Sequence, residues 1–582
     1  MLRATKAKIS KSLSGVAVTR FLVCLGAAMV AVAALSPPAM GVSPPVGPLP
    51  EAGAVAPATA APLGGSGLVA GPIRASDGFF LRDQYGRAVI LHGVNAVYKR
   101  APYVLYNDPG QPNDFTSADA SQMASLGFNV VRLGILWEGL EPGTDPADDP
   151  AVCTPGKPGD PGQLDMQVLM SYLAKVKQTV DLLGSYHIYT LLDMHQDLYS
   201  SVFGGEGAPP WAVCTDGLPT AMRPGRWSHT YASPALDAAF EHFWNNDVIG
   251  DLQGEYDRTW GIVASFFRND PWILGYDLMN EPFSRSFLMA GHQELDTQIE
   301  CFYTGRSYPG VEEITGMAVT CPPDDPAEGL IPTIEANDPT HLIFFEPDIF
   351  TREGGTNFIG TMNFPRLVFN FHSYCPFRNP VTGDPVDAEA CADHVLSTVA
   401  KRLTDRGDLG SPSQPEGPGA FMSEFGATGN AQFLQDVTTG TLGDFLSWTY
   451  WQWKFYDDPT GSSDEALVDP GGQLKSTARA LEQTYAQAIA GTPISSSFDA
   501  ATAAYTLTFA PDSRITAPTV IFVPSDAYPS GYCARSVGAA VISAPDASHL
   551  ELVNLGNAPT AKVSVTVTRC SAPAVASPPN PA

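Results

Sequence analysis

Glu281, in Leu278-Met279-Asn280-Glu281-Pro282, and Glu424, in Met422-Ser423-Glu424-Phe425-Gly426, each close a hydrophobic, strand-like run where it breaks into a turn. Two carboxyl groups so placed can break a glycosidic bond. One carboxylic acid protonates the departing oxygen, and the second carboxylate attacks or stabilises the cationic sugar carbon. A lone glutamate at a loop is ordinarily a solvated surface acid. Here the flanking chain repeats one design, which brings many strand ends to one place.

Eight segments have apolar interiors and polar carboxyl ends: Ala88 to Ala96, Asn129 to Ile135, Ile188 to Asp197, Ile273 to Pro282, His341 to Asp348, Leu367 to Tyr374, Ala420 to Gly426 and Phe445 to Trp453. Nearly continuous apolar runs are expected of parallel strands covered on both faces. Helix-like stretches lie between several of them. Ser117 to Gly127 offers Thr116 or Ser117 as a cap and Gly127 as a stop, and Asp165 to Leu183 repeats apolar residues at helical spacing. Strand and helix alternating eight times imply an α/β fold, a (β/α)₈ TIM barrel of roughly 250 residues or more, with chemistry at the carboxyl ends of the strands.

The ordered series Val131-Arg132-Leu133, Asp193-Met194-His195-Gln196-Asp197, Asn280-Glu281-Pro282, Phe371-His372-Ser373-Tyr374, Ser423-Glu424-Phe425-Gly426 and Trp448-Thr449-Tyr450-Trp451 resembles glycoside hydrolase family 5. Leu192 to Asp197, followed by a long loop and Asn280-Glu281-Pro282, is most similar to the family's endoglycoceramidase branch. The resemblance spans about 400 of the 582 residues. It implies that Glu281, on the fourth strand, is acid and then base, and that Glu424, on the seventh, is the nucleophile. Such an acid needs its pKa raised by apolar surroundings or a nearby carboxylate, and such a nucleophile needs donors that keep it ionised. Arg132 and Tyr374 are the matching donors, and Asn280 matches the residue that bonds the sugar 2-hydroxyl. His195 and His372 belong to the same pocket. Lys99 and Asp197 match residues that grip the sugar beside the cleavage point. Trp451 is the expected stacking platform, with Trp453 able to take its place and Trp448 on the opposite parity as packing.

The implied function is a secreted retaining endo-β-glycosidase acting on glycosphingolipids, with transient membrane or micelle contact and no cofactor or metal. Other readings are another family 5 glycosidase, such as an endo-β-glucanase or steryl-glucosidase-like enzyme, and a non-catalytic carbohydrate-binding surface protein. Trp211, Trp227, Phe287, Leu288 and Met289, in the loops after the third and fourth strands, form either an apolar wall for the lipid or the private cores of those loops.

At the amino terminus, Arg3, Lys6, Lys8, Lys11 and Arg20 flank or precede an apolar run from Phe21 to Leu35, the layout of a secretory signal within residues 1–40. A Pro/Ala/Gly-rich linker follows over 41–72, then the barrel over 73–490, a small antiparallel β-sandwich over 491–570, and a disordered tail over 571–582. Of the nine cysteines, Cys24 falls in the signal. Sequence neighbours among the other eight pair as Cys153 with Cys214, Cys301 with Cys321, Cys375 with Cys391, and Cys533 with Cys570, one of 105 connectivities. The net charge of −28 disfavours nucleic acid and anionic bilayers as long-range partners, and a monomer is expected.

Overall fold

The structure is a computed structural model. It describes residues 70–570 apart from 76–77, 143–163, 221–226, 247–250, 285–291, 306–320, 322–328, 379–383 and 556–561. Eight parallel strands close into a barrel: β1 His92–Ala96, β2 Val130–Ile135, β3 Tyr189–Met194, β4 Ile273–Asp277, β5 Leu342–Phe345, β6 Leu367–Ser373, β7 Gly419–Gly426 and β8 Ser447–Trp451. Every residue of these strands is buried, which explains why their sequences run apolar instead of alternating.

The segment Ala88 to Ala96 is not one strand. Ala88–Val89 pairs into a second sheet, and the barrel strand begins at His92. The chain changes sheets between Ile90, whose N–H donates to Gln487 O, and Leu91, whose carbonyl accepts from Trp448 N–H.

Local sequence sets the helices. Over Ser117–Ser125 the Thr116 side chain and Asp119 form a reciprocal capping box. Over Met166–Ser185 the Asp165 carboxylate caps two N–H groups, and Leu169, Leu173, Val176 and Val180 face the core.

The smaller domain is a sandwich of two antiparallel sheets. Four strands, Gly491–Asp499, Ala504–Pro511, Tyr532–Val537 and Val563–Arg569, form one. The other has seven, and its members Arg74–Ala75, Leu81–Arg82, Ala88–Val89 and Tyr485–Ile489 come from before residue 491. The boundary expected at 490/491 therefore divides the seven-stranded sheet, parting Tyr485–Ile489 from its partner Thr519–Phe522. The short segments Leu81–Arg82 and Ala88–Val89 also close the foot of the barrel, where Leu81 and Val89 pack with Val130, Leu191, Leu274, Leu342 and Phe421. The core between the sheets holds Tyr505, Leu507, Phe509, Ile521, Leu552, Val563, Val565 and Val567. His92 couples the two domains, stacked on Trp448 at 4.2 Å and Tyr485 at 4.0 Å between ring centroids.

Disulfides join Cys301–Cys321, Cys375–Cys391 and Cys533–Cys570. The expected Cys153–Cys214 pair lies partly outside the described residues, as do the signal, the tail and nearly all of the linker. Among the described residues no helix is long and apolar enough to cross a membrane.

Candidate active site

Both glutamates are aimed by irregular backbone. On β7, Met422 pairs with Phe371 but Glu424 pairs with His372, so one extra residue is inserted at Ser423. A bulge of this kind re-aims the side chain that follows it. Gly426 then turns the chain at φ +94°, where a Cβ would lie 2.3 Å from the Tyr450 ring. Glu281, just beyond β4, sits at φ +43°, a left-handed conformation that costs a side-chain-bearing residue about 1 kcal/mol or more. Three hydrogen bonds hold it there. Gln196 Nε2 donates to the Asn280 and Glu281 carbonyls, both at 3.0 Å, and Glu281 N–H donates to Glu346 Oε2 at 3.1 Å.

The carboxyl groups face each other. One oxygen of each, together with a ring nitrogen of His372, lies within 4.8 Å of the others. His372 Nδ1 is 2.9 Å from Glu281 Oε1 and 3.4 Å from Glu424 Oε2. A short gap suits direct attack with retention, whereas inverting enzymes leave about 6.5–9.5 Å for a water. Glu424 accepts from Arg132 Nη1 and from Tyr374 OH, each at 2.8 Å. Arg132 is itself fully buried and also pairs with Asp277 at 2.7 Å, Asp193 at 2.9 Å and Glu346 at 3.1 Å. Four carboxylates thus surround one guanidinium, which burial alone would disfavour and they collectively keep charged.

The proton distribution differs from the expectation of a protonated Glu281 beside an ionised Glu424. Burial raises the Glu281 carboxyl, but Arg352 overrides it by donating from Nη1 to both oxygens, at 2.9 and 2.7 Å, and with His372 brings it to about 2. Burial pushes Glu424 upward, opposed by His372 and Arg132 and assisted by the facing Glu281. Burial disfavours a charged His372, yet Glu346 and Glu424 raise it well above the usual imidazole range. These contacts keep Glu281 ionised and place a cation between the carboxyls.

The remaining expected residues line a pocket of about 260 Å³ with both glutamates. Lys99 Nζ reaches Asp197 Oδ2 at 2.5 Å and Thr460 Oγ1 at 2.8 Å, and sits 4.4 Å from the Trp451 ring centroid. His195 stacks on Trp451 at 5.3 Å and bonds Asp193 through Nδ1 at 2.7 Å. Burial lowers the His195 pKa, but Asp193 outweighs it and carries the ring to about 9. Asn280 spends its oxygen on Arg132 Nη2 at 3.0 Å and one amide hydrogen on Gln196 O at 2.9 Å, which leaves the second hydrogen for a ligand.

Trp453 does not share the direction of Trp451. The strand ends at Trp451, and Trp453 is buried with Nε1 donating to Asp119 at 2.9 Å. Trp448 packs on His92 and Phe425. The two loop tryptophans divide. Trp227 lines the pocket, while Trp211 is buried against Trp137 with Nε1 donating to Glu141 O at 3.0 Å. Phe287, Leu288 and Met289 lie outside the described residues.

Glu346 and Arg352 join the site without having been among the expected residues. Glu346 had a signal, since Phe345-Glu346-Pro347 repeats at the fifth strand end the Glu-Pro step of Glu281-Pro282. Arg352 had none, because its role depends on where the turn after β5 comes to rest.

Residues 83–457 match the family described as Cellulase (glycosyl hydrolase family 5), and residues 483–567 match the Glycoside hydrolase family 5 C-terminal domain. Endoglycoceramidase I of Rhodococcus hoagii (strain 103S) is 28% identical over 515 residues, covering 85% of this chain and 88% of its own. Endoglycoceramidase of Cyanea nozakii is 28% identical, over 78% of this chain and 84% of its own. The solved structure of Endo-glycoceramidase II from Rhodococcus sp. in a cellobiose-like imidazole complex superposes with a TM-score of 0.60 at 25% identity, covering 85% of this chain and all of that one. With a family match across most of its length, a closed barrel and a sandwich behind it, the chain belongs to glycosyl hydrolase family 5 and is an endoglycoceramidase-like glycosidase.

Proposed function

We propose that the protein is a secreted retaining endo-β-glycosidase that cleaves between oligosaccharide and ceramide in glycosphingolipids. The observation that carries this reading is the gap between the Glu281 and Glu424 oxygens, within 4.8 Å across one imidazole. Glu424 attacks the anomeric carbon while Glu281, protonated, gives its proton to the glycosidic oxygen. Ceramide departs as an alcohol and a glycosyl ester remains on Glu424. Glu281, now a carboxylate, takes a proton from water as that water attacks the same carbon. Intact oligosaccharide leaves, and both side chains return to their starting forms.

A lipid aglycone accords with the curated relatives, which are called endoglycoceramidases. It also accords with the rim of the pocket. Cys375, Pro376 and Arg378 line the cavity, and between and beside them stand Phe377, 59% exposed, and Val386, 75% exposed. The two are paired through Val386 N–H to Phe377 O at 3.0 Å, and the Cys375–Cys391 disulfide ties off the loop. Apolar side chains held out at a polar pocket's mouth suit a substrate with one polar and one apolar half. Export is supported by the basic residues and apolar run of positions 3–35, and sequencing the amino terminus of protein from culture medium tests it.

The function is tested by incubating the protein with a mixed glycosphingolipid panel and identifying products by mass spectrometry. Free ceramide alongside intact sugar chains is expected. Stepwise loss of terminal monosaccharides, or cleavage confined to soluble glucans, overturns the reading.

A further inference from the structure

Arg352 touches the Glu281 carboxyl yet has no part in the reaction as written above. It is held in place, not left loose on the surface. Its turn, Ile349–Glu353, starts from the Asp348 side chain, which accepts Phe350 N–H at 2.7 Å. Beyond the turn, Lys401 and Arg402 donate to Gly355 O at 2.7 and 2.6 Å. The Arg352 carbonyl accepts Tyr374 N–H at 3.1 Å, which ties the turn to the end of β6, where His372 and Tyr374 stand. The side chain is 26% exposed, opens on the pocket and lies 6.0 Å from the Tyr374 ring centroid.

With Nη1 on both oxygens of Glu281, at 2.9 and 2.7 Å, the guanidinium stands where a proton and a glycosidic oxygen must go. A carboxyl in that grip can accept a proton from water but cannot donate one. The geometry points to Arg352 as a positioning residue that changes places with the leaving group. It holds Glu281 as a carboxylate whenever the aglycone side is empty, and it withdraws when an aglycone enters, so that Glu281 takes up the proton it then donates. The two half-reactions need opposite forms of Glu281, and occupancy of the aglycone side differs between them in the same order. This inference rests on the reading of Glu281 as acid and base.

The groups facing Glu281 are Arg352, His372 from β6, Glu346 from the end of β5, Glu424 across the gap, Asp197 beyond β3 and Tyr231 from the Trp227–Ala232 turn. Glu353 lies 3.9 Å from Arg352 itself. Removing the guanidinium takes away a cation, and the carboxyl then keeps its proton to higher pH.

The test compares Arg352→Met and Arg352→Lys with the native enzyme on two lactosides. One is a short-chain lactosylceramide, whose alkoxide leaves poorly and needs the acid. The other is a dinitrophenyl lactoside, which needs no acid, so that its kcat follows the second half-reaction. Arg352→Met is expected to move the alkaline limb of kcat/KM on the glycolipid upward by about one pH unit or more. It is also expected to lower kcat on the aryl lactoside roughly tenfold below neutral pH, where the base stays protonated. Arg352→Lys retains the native limb, and Arg352→Gln replaces the methionine variant if that one does not fold. An alkaline limb unmoved by the neutral variant, or a lysine variant that behaves like it, overturns the inference. Glu281→Ala separates this failure from that of the underlying assignment. Loss of kcat/KM on the glycolipid with kcat/KM retained on the aryl lactoside, whose kcat falls and is restored by azide, a nucleophile that needs no base, upholds the acid/base role, and equal loss of kcat/KM on both removes it.

Discussion

Replacing Tyr374 with phenylalanine removes one hydrogen bond and little else. The phenol donates to Glu424 Oε2 at 2.8 Å, while its ring lies 4.9 Å from the Arg378 guanidinium and 6.0 Å from that of Arg352, contacts a phenyl ring keeps. A hydrogen bond to an ionised acceptor is worth about 1.5–3 kcal/mol. At roughly 1.4 kcal/mol per tenfold, kcat/KM should fall about 10- to 100-fold at the acid end of the profile. The same loss raises the pKa of Glu424, because the donor favoured the charged form. Glu424 must be ionised to attack, so activity rises with pH through its pKa. The acid limb of Tyr374→Phe should therefore shift upward, and part of the deficit should disappear at higher pH. The assay is kcat/KM on a soluble aryl lactoside across the pH range, with thermal melting as a control for folding. A uniform drop with an unmoved acid limb, or no drop at all, refutes the claim that this phenol holds the nucleophile.

Lys99→Met should cost about 3–5 kcal/mol in urea unfolding, because it strands Asp197, Glu206 and Asp458, all buried and within 3.4 Å of its ammonium. Adding Glu206→Gln, at a position where burial already favours the neutral acid, should recover part of that loss. His92 is stacked between the domains and lowered by burial to about 3, against 6.5 for a free imidazole. Because its folded pKa is the lower one, its neutral form adds stability above about pH 6.5, and that stability drains away as pH falls toward 3. A His92→Phe variant should show a flatter melting temperature across that window. Phe377→Ser with Val386→Ser should raise KM on micellar glycolipid several-fold while leaving turnover of a soluble aryl lactoside unchanged, which a purely structural role for that rim would not do.

Much of this protein could be read along the chain. Burial on both faces forces parallel strands into continuous apolar runs, and polar residues collect where those runs end, so the barrel and the neighbourhoods of Glu281 and Glu424 were legible. A helix cap such as Thr116 is local, and so was legible too. Parity along an ideal strand misjudged Trp453, because β8 stops at Trp451 and the chain then turns inward. Pattern also drew the domain boundary at residue 490, although strand pairing carries segments 74–89 and 485–489 into the sandwich.

What the sequence determined by itself was the set of chemical groups and the fold that gathers them, because hydrophobic periodicity and strand-end chemistry are properties of neighbouring residues. Only the tertiary structure decided their protonation. A carboxyl's charge depends on the cations within a few ångströms, and for Glu281 those are Arg352, 71 residues away, and His372, 91 residues away. No local pattern encodes such distances, since they follow from how the barrel closes and where its loops come to rest.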